Sequence, residues 1–132
     1  MAKKILIVDD EIFTLRLMEK KLSRDCVVEI ANNGNDAKEL IAANKYDAIV
    51  LDVNLPDLSG LEILKLEKRN PSSLNYTTTF VMCSSSVDYE TISAAMENKA
   101  FDYIIKSFHM DRLNDIVDSI NSYENAKERL AV

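Results

Sequence analysis

The chain has 132 residues, the length of one domain with one sizeable core. Hydrophobic residues make up 47% and charged residues 29%, with only two Gly and two Pro, which excludes disordered, collagen-like and turn-rich all-β chains. Sixteen basic against 22 acidic side chains leave a net charge of −6, which argues against direct nucleic-acid binding and against an anionic membrane surface, since both need a basic face.

Ile5-Leu6-Ile7-Val8 is a β-branched-rich apolar run that stops at Asp9-Asp10-Glu11. A continuous run of this length suits a strand covered on both faces. Residues 12–23 place Phe13 and Leu17, and Leu15, Met18 and Leu22, at helical spacing, which predicts an amphipathic helix. Residues 26–31 read as a second strand, Asn32-Asn33-Gly34 as a turn, and residues 36–43 as a short helix with Ala37, Leu40 and Ile41 inward. A third strand over 46–51 ends on Asp52. Residues 54–60 form a loop, and residues 61–69 a helix that buries Leu61, Ile63 and Leu64 before Pro71 closes it.

Residues 70–78 are polar and read as a loop. A fourth strand over 78–83 precedes Ser84-Ser85-Ser86, a helix covers 88–98, and a fifth strand over 101–105 ends on Lys106. Asp111 reads as the N-cap of a last helix carried by Leu113, Ile116, Val117 and Ile120. The domain is expected over 1–121. Residues 122–132 keep helix formers but lose the apolar face, so they read as an extension of the last helix or a linker. Five strands alternating with five helices predict an α/β fold with a parallel sheet, right-handed crossovers and helices on both faces.

Cys26 and Cys83 form no C-x-x-C pair, which excludes zinc ribbons and thioredoxin-type motifs, and both read as buried thiols. No N-terminal stretch has a signal-peptide pattern, and no apolar run approaches the roughly 18 residues of a membrane span. The expected location is a reducing cytoplasm.

In an open α/β sheet, ligands bind beyond the carboxyl ends of the strands. Asp9, Asp10, Asp52, Ser84 and Lys106 stand there. Two carboxylates at about 4 Å repel by about 4 kcal/mol at an effective dielectric of about 20. One lysine does not neutralise three acids, so the set asks for a divalent ion, and oxygen donors alone point to Mg²⁺ or Mn²⁺. A metal, an ammonium and a hydroxyl together suit the oxygens of a phosphoryl group. A carboxylate can itself be the nucleophile and form an acyl phosphate. Asp57 reads as a loop or cap residue, and His109, the single histidine, as a surface or cap residue.

The stretches Ile5-Leu6-Ile7-Val8-Asp9-Asp10-Glu11, Ala31-Asn32-Asn33-Gly34, Leu51-Asp52-Val53-Asn54-Leu55-Pro56-Asp57-Leu58-Ser59-Gly60, Met82-Cys83-Ser84-Ser85 and Phe101-Asp102-Tyr103-Ile104-Ile105-Lys106 follow in this order. In that order and spacing the chain resembles the receiver domains of two-component response regulators. The resemblance implies a flavodoxin-like, three-layer fold with strand order 2-1-3-4-5. It implies that Asp52 is the phosphoacceptor and that Asp9, Asp10, Asp52 and the Asn54 carbonyl hold Mg²⁺. Ser84 would contact the phosphoryl group, Lys106 would pair with it, and Tyr103 would swing inward as the switch aromatic. Asn54 and Ser86 stand where the family tunes hydrolysis of the acyl phosphate. The implied partners are a sensor histidine kinase or phosphotransfer protein and a downstream protein or output domain. A homodimer through the last strands and helices also fits the family.

The chain departs from the family at two places. Ser107 follows Lys106 where the family usually has proline after a cis bond, and a cis bond before a non-proline residue costs about 3–4 kcal/mol. Lys99 precedes Ala100 where the family often has glycine, so a left-handed backbone there is costly. Two other functions compete with the switch. One is a receiver-like interaction module that works without phosphate. The other is an aspartyl-nucleophile phosphohydrolase, for which Asn54 supplies no general acid.

Overall fold

The computed structural model describes residues 3–24, 26–85 and 87–106, together with Arg112, Asp115 and Asp118. Along them run β1 (Lys3–Val8), α1 (Ile12–Leu22), β2 (Cys26–Ala31), α2 (Gly34–Ala43), β3 (Ala48–Asp52), α3 (Gly60–Arg69), β4 (Thr79–Ser84), α4 (Tyr89–Glu97) and β5 (Asp102–Ile105). The expected last helix, with Asp111, Leu113, Ile116, Val117 and Ile120, lies outside the described residues. So do Ser86, Ser107, His109 and the tail 122–132.

The strands form one parallel sheet in the order β2-β1-β3-β4-β5, the flavodoxin-like order. Successive side chains of a strand point to opposite faces, so an all-apolar strand feeds two cores. Leu6, Val8, Ile49, Leu51, Phe80, Met82 and Tyr103 form one core with Ala37, Ile41, Ile63, Leu64 and Ala95 from α2, α3 and α4. Ile5, Ile7, Ala48, Val50, Val81, Cys83 and Ile104 form the other with Leu15, Met18 and Leu22 of α1. These two cores are why the strands read as continuous apolar runs. Both cysteines are buried.

Several expectations shift by a residue or a face. Phe13 is 82% exposed and Leu17 also reaches solvent, because α1 rests on the sheet along the single stripe of Leu15, Met18 and Leu22. Leu40 and Leu61 are only partly buried, at the rim of the core. The second helix starts at Gly34, ahead of Asp36, because Asn33 caps it and accepts a hydrogen bond from Asp36 N at 2.8 Å. The polar stretch 70–78 is not merely solvated. Buried Asn75 donates to Ile41 O and Asn44 O at 2.7 Å each and accepts from Tyr46 N at 2.9 Å, while Thr78 Oγ1 donates to Tyr46 O at 2.9 Å. Short polar side chains thus take the place of sheet partners at the amino edge of β3 and β4.

Candidate functional site

Register builds the site. Val8 of β1 pairs with Leu51 of β3, so the next residues, Asp9 and Asp52, stand side by side at the carboxyl edge. Asp52 pairs with Cys83, which puts Ser84 one step beyond it on β4. Ser84 pairs with Ile105, and Lys106 follows at the end of β5. The four residues come from four stretches of chain, and the parallel pairing alone brings them to one edge.

Asp9, Asp52 and Ser84 are buried, and Asp10 is exposed. The carboxylates of Asp9, Asp10 and Asp52 each offer an oxygen within 4.8 Å of the others. Lys106 Nζ lies 2.8 Å from Asp9 Oδ2 and 2.9 Å from Asp52 Oδ2, with its side chain 12% exposed. Glu11 Oε1 stands 3.9 Å from the same ammonium. Asp9 Oδ1 accepts from Glu11 N at 2.9 Å, and Asp52 Oδ1 accepts from Asn54 N at 3.0 Å. The Asn54 side-chain amide donates to Ser84 Oγ at 3.2 Å. Tyr103 lies inward, its ring in the core and its hydroxyl buried.

Charge does not balance here. Among the described residues, three carboxylates, two of them buried, stand against one ammonium, an excess of two negative charges. Burial pushes the Asp52 carboxyl up to about 6, with Lys106 and the Asn54 N–H pulling the other way. Burial would lower the Lys106 ammonium, but the Asp9 and Asp52 carboxylates outweigh it and hold the lysine above its ordinary range. Burial pushes the Cys83 thiol up to about 12, so this cysteine beneath the site stays protonated and is not a nucleophile.

A family model described as the response regulator receiver domain matches residues 5–118. The chain belongs to that family. Among receiver relatives, the chemotaxis protein CheY of Bacillus subtilis (strain 168) is 30% identical over 127 residues, covering 95% of this chain and all 100% of CheY. The regulatory protein AtoC of Escherichia coli (strain K12) is 31% identical over 128 residues, covering 96% of this chain but 27% of AtoC. The response regulator TrrA of Thermotoga maritima, solved in complex with Mg²⁺-BeF, superposes with a TM-score of 0.76 at 26% identity, covering 89% of this chain and 98% of TrrA. Receiver domains are regulatory switches, and the fold described above is theirs.

One residue of this edge, Gly60, has a role that sequence reasoning did not assign, and another, Asp57, bears out its reading as a loop or cap residue. Asp57 accepts hydrogen bonds from Gly34 N and Asn35 N, both at 2.8 Å, so a loop carboxylate of the β3–α3 connection caps α2. Gly60 N donates to Val53 O at 2.8 Å and closes the same loop. A Cβ on Gly60 would lie 2.0 Å from Asp52 O, so only glycine lets α3 start this close behind Asp52. The available signal was scarcity: the chain has two glycines, and they open α2 and α3, the helices that flank this loop.

Proposed function

We propose that this receiver domain is a phosphorylation-dependent switch that accepts a phosphoryl group on Asp52. The carrying observation is the Lys106 ammonium held between Asp9 and Asp52 with Asp10 beside them. The donor set fits a hard divalent cation: it offers oxygen atoms only, it carries excess negative charge, and buried Asp9 Oδ2 meets Lys106 as an ion pair with no hydrogen bond of its own. Asp9, Asp10, Asp52 and the Asn54 carbonyl would hold Mg²⁺. When bound, Mg²⁺ offsets the carboxylate charge and that of the incoming phosphoryl oxygens.

Asp52 then acts as the nucleophile. Its oxygen bonds to the phosphorus of a phosphohistidine, the P–N bond breaks, and the imidazole leaves with the electron pair. Lys106 balances charge on the transferred group, and Ser84 donates a hydrogen bond to one of its oxygens. Ser86 tunes the lifetime of the acyl phosphate with Asn54. The inward Tyr103 ring reports the Ser84 position to the surface around α4 and β5. The partners of this reading are a sensor histidine kinase or phosphotransfer protein in the cytoplasm and a downstream protein or output domain. The complex of TrrA with Mg²⁺-BeF supports it.

The test is intact mass after incubation with acetyl phosphate and Mg²⁺, with Asp52→Asn and metal-free controls. One phosphoryl adduct that needs both Mg²⁺ and Asp52 is the expected result. No adduct, with Mg²⁺ still bound, would replace this reading with a phosphate-independent interaction module.

A further inference from the structure

Asn54 enters the site through two different groups. Its backbone N–H donates to Asp52 Oδ1, and its side-chain amide reaches across to Ser84 Oγ at 3.2 Å. The first bond spans two residues of sequence and the second spans 30, from the β3–α3 loop to the end of β4. Asn54 is exposed, whereas Ser84 and Tyr103 behind it are buried. An exposed amide adds little to the core, so what this contact contributes is direction, fixing where the Ser84 oxygen sits.

The sheet connects that oxygen to the aromatic ring. Met82 pairs with Tyr103 and Ser84 with Ile105, so Ser84 and Tyr103 are diagonal neighbours on one face of β4 and β5. A Ser84 side chain turned back from the edge would turn toward that diagonal neighbour.

We propose that Asn54 is a positioning residue for the switch: its amide holds the Ser84 hydroxyl at the Asp52 edge before a phosphoryl group arrives, and so favours the inward Tyr103 ring. A serine hydroxyl both donates and accepts. By accepting from Asn54, Ser84 directs its own hydrogen away from the amide, the orientation needed to donate to an oxygen on Asp52. Asn54 thus links the acceptor it touches through its backbone to the residue that answers phosphorylation. The meaning of this link rests on the phosphoacceptor reading above, but the link itself can be measured without metal or phosphate.

The experiment is fluorine NMR of the full chain labelled with 3-fluorotyrosine, with Tyr103→Phe used to assign the Tyr103 signal among the five tyrosines. Spectra are taken without metal for the unsubstituted chain, Asn54→Ala, Ser84→Ala and the double variant. Asn54→Ala is expected to move the inward-to-outward ratio of Tyr103 toward outward by about fivefold, the scale of one neutral hydrogen bond. In the Ser84→Ala background the same change should have no effect. A Tyr103 signal that ignores Asn54→Ala, or that shifts equally in both backgrounds, overturns the proposal. Beryllofluoride with Mg²⁺, added to the same samples, judges the other reading separately. Failure to bind the unsubstituted chain would sink the phosphoacceptor role and leave the Asn54–Ser84 coupling to be decided by the spectra alone.

Discussion

Asp52 is held at an energetic disadvantage when ionised, and pH exposes the cost. Its carboxyl rises from 3.8 to about 6 on folding, burial being the main cause. Between about pH 4 and pH 6 the folded chain keeps a proton that the unfolded chain has lost, so stability falls as pH rises through that window. Asp52→Asn stays neutral throughout. Without metal it should be more stable than the unsubstituted chain at pH 8 by about 1–2 kcal/mol, the shift of about two units, which already includes the opposing pull of Lys106, being screened in part by solvent. The difference should fade toward pH 4. Urea unfolding in EDTA across that range checks it, and an advantage independent of pH would count against Asp52 as its source. Gly60 acts on the same residue by sterics. Gly60→Ala should lose about 2–4 kcal/mol and slow phosphorylation of Asp52, because the added methyl meets backbone rather than a yielding side chain. The acids and Lys106 were legible in the sequence because each ends an apolar run. Gly60 was not, because its role depends on which loop lies behind which helix, and Asp57 was legible as a loop or cap residue but not as the cap of α2, whose N–H groups lie more than 20 residues away in sequence.

Helix ends carry the next scale. Asn98 ends α4, Lys99 N donates to Met96 O and Ala100 N to Ala95 O, and Lys99 sits at φ 71°. This is a Schellman close with lysine where glycine is favoured. The left-handed backbone that the sequence made costly at Lys99 is therefore adopted, since two orphan carbonyls of α4 are satisfied by it. Lys99→Gly should raise stability by about 1 kcal/mol, seen as a higher urea midpoint with an unchanged slope. At the other end of the sheet edge, Asp57 joins the β3–α3 loop to α2. Burial raises its carboxyl, but the backbone N–H groups of Gly34, Asn35, Asp57 and Leu58 together outweigh it and hold the group below the usual range. Asp57→Ala should weaken Mg²⁺ binding measured by calorimetry, because the Asn54 carbonyl sits in the loop that Asp57 fixes. Unchanged affinity would reduce Asp57 to a helix cap. Whereas the order of strands in the sheet came from the resemblance, the succession of strands and helices along the chain was readable because apolar runs and period-3.6 patterns are local. The Asn75 anchor was not, because its partners at Ile41, Asn44 and Tyr46 lie about 30 residues away in sequence.

Across the whole molecule, the site is a clasp on the sheet. It takes Asp9 from the end of β1, Asp52 from β3, Ser84 from β4 and Lys106 from the end of β5, with Lys106 and Asp52 separated by 54 residues. An unfolded chain cannot bring Asp9, Asp10 and Asp52 together, so a cation held by them would add to global stability through mass action, by about 2.7 kcal/mol at 100 times its dissociation constant. Lys106 and the cation answer the same excess charge, and removing one should raise the demand for the other. Lys106→Met should therefore lower metal-free stability by about 2–3 kcal/mol, since it strips the ammonium from two buried carboxylates. It should also enlarge the rise in melting temperature on adding Mg²⁺, although the variant would handle the phosphoryl group poorly. Melting curves with EDTA and with saturating Mg²⁺, on both chains, separate the two effects. A Mg²⁺ increment in Lys106→Met no larger than that of the unsubstituted chain would mean that the ammonium does not share the cation's electrostatic task and that Lys106 instead shapes the site.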